Sequence, residues 1–139
     1  MGIDLSKVNL EVVDLNINAT PDIYINKTGV TFTKRILEEL NYPQNVQYCI
    51  DSPKRIFAIR VCKSNEQKAI PFSKNRTEQT KSISTNNKVL KSILTSLLDN
   101  YNSTLRYTVT GTLDLENRTM YFDMQSANIS EFRSDTGDD

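Results

Sequence analysis

The chain has 139 residues, 37% of them apolar and 24% charged, and its 17 basic and 17 acidic side chains cancel. With only 4 Gly and 4 Pro, the composition is that of an ordinary globular protein and not a disordered one, and the length suits one domain around one core. Histidine is absent, which removes the side chain most used for proton transfer near neutral pH and the commonest zinc ligand.

The N-terminal residues Met1-Gly2-Ile3-Asp4 form neither a basic nor an apolar leader, and no run of about 18 apolar residues follows, so neither secretion nor a membrane helix is expected. Heavy use of Asn, Lys and Ile points to an AT-rich genome, that of a low-GC bacterium or one of its phages or mobile elements. The expected place is the cytoplasm of the bacterial host cell. Residues 10–17 alternate apolar and polar with a slip at Val12 and Val13, predicting a bulged strand. A short strand at 22–25 turns through Gly29 into a second at 30–32. Residues 33–40 read as a helix capped by Thr33, with Ile36, Leu37 and Leu40 on one face and Pro43 preventing its continuation. Strands at 46–50 and 56–61 flank the turn Asp51-Ser-Pro-Lys54 and form a hairpin.

That hairpin bears both cysteines, Cys49 and Cys62. A turn near Ser52-Pro53 sets Cys49 opposite Ile56, leaving the sulfurs roughly 20 Å apart, far beyond disulfide reach. Buried free thiols are expected, as in a reducing compartment. Residues 63–88 are polar and rich in lysine, interrupted only by Ala69-Ile-Pro-Phe72 and Ile83, which predicts a long loop carrying a short strand segment. A second helix over 88–98 places Val89, Leu90, Ile93, Leu94, Leu97 and Leu98 on one wide stripe. Strands at 105–109 and 120–124 enclose a turn near 114–117.

Each half therefore runs helix, Asn-Tyr, strand, turn, strand. Asn41-Tyr42 recurs as Asn100-Tyr101, and Arg55, Phe57 and Ile59 match Arg118, Met120 and Phe122. An internal duplication and ordinary recurrence both explain this. The expected fold is α+β: two similar helix-plus-β-hairpin halves, 22–62 and 83–125, around a mixed, mainly antiparallel sheet or small barrel. One domain spans 1–127 and contains a long basic polar loop at 63–82. Residues 128–139 form an acidic, flexible tail.

No chemistry-bearing constellation stands out. The glycines are isolated, no carboxylate cluster has metal-site spacing and two separated cysteines make a poor thiolate site, so neither catalytic residues, metal ligands nor a cofactor are assigned. The charge distribution is the marked feature. Residues 54–91 hold ten basic side chains against Glu66 and Glu78, a balance of +8, whereas 1–53 and 92–139 are net acidic. A local positive surface able to hold phosphates follows if these groups converge, and solvation of a polar loop follows if they do not. The candidate contacts are Lys54, Arg55, Arg60, Lys63, Lys68, Lys74, Arg76 and Lys81. Arg60, inside an apolar strand, faces solvent, pairs with a carboxylate such as Asp123, or lines a pocket. The tyrosines at 24, 42, 48, 101, 107 and 121 read first as core or cross-strand partners and only second as stacking platforms for bases.

The run from Thr28 to Pro43, followed by the 46–61 hairpin, resembles the AbrB-type, MraZ-like cradle-loop (swapped-hairpin) unit. Gly29, Val30, Thr31, Lys34, Ile36 and Leu40 fall in step with its motif, while Thr33 stands where the family has proline. The resemblance covers about 40 residues and implies, for a duplicated chain, the architecture of two-repeat bacterial DNA-binding regulators. The family's arginine after the glycine is Val30 here, so a DNA surface would have to lie on the central segment.

Two functions are therefore carried. The first is a non-enzymatic protein that binds nucleic acid or another phosphate-bearing ligand through the basic centre, as a DNA-binding regulator does. The second is a phage or mobile-element anti-defence protein, which inhibits a host defence nuclease or sequesters a nucleotide signal. A homo-oligomer is expected in either case, with no membrane partner.

Overall fold

Alternation in sequence becomes alternation in burial. In β1 (Asp22–Asn26) the inward side chains are Ile23 and Ile25, and in β2 (Gly29–Phe32) they are Val30 and Phe32, none more than 1% exposed. The two strands pair with Asn26 opposite Gly29. A Cβ on Gly29 would stand 2.5 Å from the Thr85 carbonyl oxygen, so the close approach of another backbone requires glycine there.

The computed structural model describes residues 2, 4–12, 19–79 and 81–131. After β2 come α1 (Lys34–Glu39), β3 (Asn45–Asp51), β4 (Ile56–Val61), β5 (Ile70–Pro71) and β6 (Ile83–Thr85). Then follow α2 (Lys88–Ser96), β7 (Leu105–Asp114), β8 (Thr119–Asp123) and β9 (Asn128–Glu131). Strand order is β5-β3-β4-β8-β7-β1-β2-β6, with β9 on β7, and every pairing is antiparallel. The result is a small mixed domain, a curled antiparallel half-barrel with two helices. Among the described residues no helix is long and apolar enough to cross a membrane.

The curl has a local cause. Residues 107–110 of β7 pair with β1, and residues 111–114 pair with β8, so one long strand serves both parts of the sheet. Gly111 sits at the changeover, its amide donating to the Pro21 carbonyl at 2.7 Å. A Cβ there would lie 2.7 Å from the Phe122 ring and 2.8 and 2.9 Å from Met120 side-chain atoms. The missing side chain lets Phe122 and Met120 fold under the corner. Phe57, Ile59, Met120 and Phe122 then meet Ile23, Phe32 and Val109 in one core, sealed by Leu90, Leu94, Leu97 and Leu98 of α2.

The helix ends are held by arginines from the hairpins. The Arg55 guanidinium donates to the Leu98 and Leu97 carbonyls at 3.2 and 3.5 Å and lies 3.1 Å from Asp99, satisfying acceptors left open at the end of α2. Arg118 donates to the Leu40 carbonyl at the end of α1, at 3.3 Å. Both arginines have left-handed backbones, φ 54 and 47, as do Asn41 (60) and Asn100 (51).

Several expectations change. The β3–β4 turn takes residues 52–55, so Cys49 pairs with Ala58 and Asp51 with Ile56, two residues away from the expected register. Both cysteines are free but half-buried instead of buried. The Cys62 amide bonds to the Asn45 carbonyl, which places it four strand positions from Cys49, roughly 13 Å. The expected tail begins too early, because Asn128–Glu131 add to β7 as β9; residues 132–139 lie outside the described residues. The bulged strand at 10–17 falls largely on 13–18, also outside them, and Leu10 and Val12 are exposed and outside any strand.

Candidate ligand cleft

The half-barrel leaves a seam between its two terminal strands, β5 and β6. A cleft of about 500 Å³ occupies it. Phe32 and Tyr48 line it from the sheet interior, Ile70, Pro71 and Phe72 from the β5 side, and Ile83, Leu90 and Ile93 from β6 and α2. Three of these are aromatic rings in mutual contact, with centroids 6.0 Å apart for Phe32–Tyr48, 5.5 Å for Phe32–Phe72 and 6.4 Å for Tyr48–Phe72. Val89 also lines the cleft and is 70% exposed; it leaves the core stripe predicted for α2 and stands at the rim.

Among the described residues the polar side chains of the lining are Tyr48, Lys68, Thr85 and Asn87, and no carboxylate joins them. Burial pushes the Tyr48 phenol up to about 12 from its ordinary 10.0, because the phenolate would lose hydration without gaining a partner. Lys68 has a left-handed backbone, φ 57, and is the one basic residue of the lining among the described residues. Asn87 caps α2, its Oδ1 accepting from the Leu90 amide at 3.0 Å. The Thr85 hydroxyl oxygen accepts from the Asn87 amide at 3.1 Å.

The other expected contact residues lie elsewhere. Lys54 is exposed in the β3–β4 turn and Lys63 follows the far end of β4, a strand whose six residues span roughly 20 Å. Arg55 is committed to the end of α2. Arg60 is exposed and opposite Thr119, not Asp123, and its Nε donates to Gln47 Oε1 at 3.0 Å. Lys74 and Lys81 are exposed. Arg76 lines a separate depression of about 280 Å³ with Arg35, Glu38 and Tyr42, where Arg35 is already held 3.0 Å from Glu39. The eight are thus spread over a hairpin turn, an outer sheet face and separate hollows.

A second depression, of about 530 Å³, runs beside β2 and β6. Among the described residues its lining consists of Asn, Thr, Ser, Gly and Val and contains no charge. Two atoms buried without a hydrogen-bond partner, the Tyr101 hydroxyl and Arg106 Nε, belong to neither cavity; the Arg106 guanidinium lies over the Tyr24 ring, 4.4 Å from its centroid. Among the described residues no group of three or more Cys, Asp or Glu is placed to hold a metal ion.

Sequence reasoning missed most of the cleft. Two signals pointed to it: the apolar island at 69–72 in a polar run, and Val89, which makes the α2 stripe wider than a core contact needs. Comparison with protein-family models, with characterised proteins and with solved structures finds no match to this chain.

Proposed function

We propose that the protein is a non-catalytic binding protein whose ligand carries a phosphate or comparable anionic group and sits in the seam cleft, with Lys68 as its counter-charge. The observation that carries this is the lining itself, an aromatic and aliphatic floor with, among the described residues, one cation and no carboxylate. Its volume falls within the roughly 300–1,000 Å³ typical of small-molecule sites. A ligand along a length of nucleic-acid backbone is less favoured, because a polyanion needs many cations on one track and the eight basic residues follow none. Sequestration of a small nucleotide, as in the anti-defence reading, needs only such a cleft.

We further read the two halves as repeats. The arginine clamps support this, since each hairpin holds the helix end of the other half. Aligning Arg55 with Arg118 brings Ala58 onto Tyr121, the residue with which it pairs, as expected where a pseudo-twofold axis crosses a sheet. A paired swapped-hairpin arrangement is also what the cradle-loop resemblance implies. On this reading β1 fills the space between β7 and β2, while two-residue β5 fills only part of the matching space between β3 and β6. The cleft is the unfilled remainder.

Titration of the full chain with 8-anilinonaphthalene-1-sulfonate, an apolar anion, tests the site. Saturable fluorescence enhancement is expected with the wild type and its loss with Val89→Trp, a substitution at an exposed rim position. No enhancement with the wild type, or equal enhancement with both proteins, refutes the assignment.

A further inference from the structure

Resting on the cleft assigned above, we infer that its ligand is a nucleoside phosphate, whose base enters among the aromatic rings and whose phosphate meets Lys68. The polar part of the lining is one-sided. Among the described residues the Tyr48 hydroxyl donates to nothing, the Thr85 hydroxyl is used only as an acceptor, the Asn87 side chain is used only through its oxygen, and the Lys68 ammonium has neither a hydrogen-bond partner nor an ion pair. These groups leave four side-chain donors around an apolar floor, with no acidic group beside them to answer the lysine.

A matching ligand brings acceptors, negative charge and a flat face together. A fatty-acid anion brings one acceptor group at one end and leaves the half-buried Tyr48 and Thr85 hydroxyls without partners, a cost of about 1–3 kcal/mol for each one it buries. A planar heterocycle presents ring nitrogens and carbonyl oxygens to Tyr48 and Asn87 while its faces meet apolar side chains. Stacking of a base on an aromatic ring is worth about 1–3 kcal/mol. Phe32 is fully buried and backs the other two rings; Tyr48 and Phe72, both partly exposed, meet nearly edge to face, 82° between planes. The rings therefore form a corner, which offers a ring face and a ring edge to a flat guest. The same chemistry comes from a free nucleotide or from the terminus of a nucleic-acid strand.

Isothermal titration of the full-length chain with adenosine and uridine 5′-monophosphates, adenosine, octanoate and a single-stranded pentanucleotide tests this. At least one monophosphate is expected to bind at a single site, at least tenfold more tightly than adenosine. Lys68→Ala should reduce it to the level of the nucleoside, and Tyr48→Phe should weaken nucleoside and nucleotide alike by a few-fold. Binding of the monophosphate as tight as that of the pentanucleotide assigns the free nucleotide, and a tenfold preference for the pentanucleotide assigns the strand end; either supports the inference. Dye binding without binding of any nucleoside phosphate, or binding of octanoate alone, overturns the ligand class and leaves the cleft assignment standing. Nucleotide binding unchanged by both Lys68→Ala and Val89→Trp overturns the inference by placing the ligand elsewhere.

Discussion

Tyr48 links the cleft to stability through a measurable pH dependence. A phenol held at about 12 in the folded chain, against 10.0 when exposed, corresponds to at most about 2–3 kcal/mol of difference between its two protonation states. Below pH 10 both folded and unfolded chains keep the proton and the contribution is fully present. Between 10 and 12 the unfolded chain ionises first, so stability falls as pH rises through that window and levels off above it. Tyr48→Phe removes the proton and with it this slope. At neutral pH the same substitution should cost no more than about 0.5 kcal/mol, because no hydrogen bond to the hydroxyl is lost. Urea unfolding of both proteins, from neutral pH upward, reads the difference directly. Tyr101 and Cys62, also pushed up chiefly by burial, are present in both and cancel. Parallel decline of wild type and Tyr48→Phe would refute the argument that partial burial of this ring holds its phenol above the ordinary value.

Gly111→Ala should destabilise by about 1–3 kcal/mol, as overpacking does, because its methyl meets Phe122 and Met120 below 3.0 Å; an unchanged denaturation midpoint would show that the corner has room. Arg55→Ala should cost about 1–2 kcal/mol, mainly from the α2 carbonyls, since its half-exposed pair with Asp99 adds little. A salt-insensitive loss in thermal melts supports that division, and a loss that vanishes in high salt assigns it to the ion pair instead. Arg118→Ala, which removes a single 3.3 Å bond, should cost about half as much. Intact mass after air exposure should retain both thiol hydrogens, and an intramolecular disulfide would contradict the separation of Cys49 from Cys62.

Elements with their own periodicity were legible in the sequence: β1, β2, the β3–β4 hairpin, β8 and both helices. The hairpin register was not, because Arg55 takes a left-handed backbone usually marked by glycine or asparagine, and the chain offers neither there. β6 contains a single large apolar residue, Ile83, and β9 likewise only Ile129. Each forms because a neighbouring strand presents unpaired amides and carbonyls, a tertiary cause with little local trace. The central lysines were visible as a linear density of charge, yet density along the chain says nothing about which side of a strand each residue occupies. The cleft joins residues 32, 48, 68–72 and 83–93, and no single window of sequence contains that meeting.

The brevity of the strands that border the seam has its own consequence. An open sheet margin ordinarily recruits strands from other molecules and seeds aggregation. Here one margin is two residues long and includes Pro71, which has no amide hydrogen to offer, and the other is three residues long. Neither is long enough to template a foreign strand. The opening can thus stay accessible to a small guest while these two margins give neighbouring chains little to zip onto.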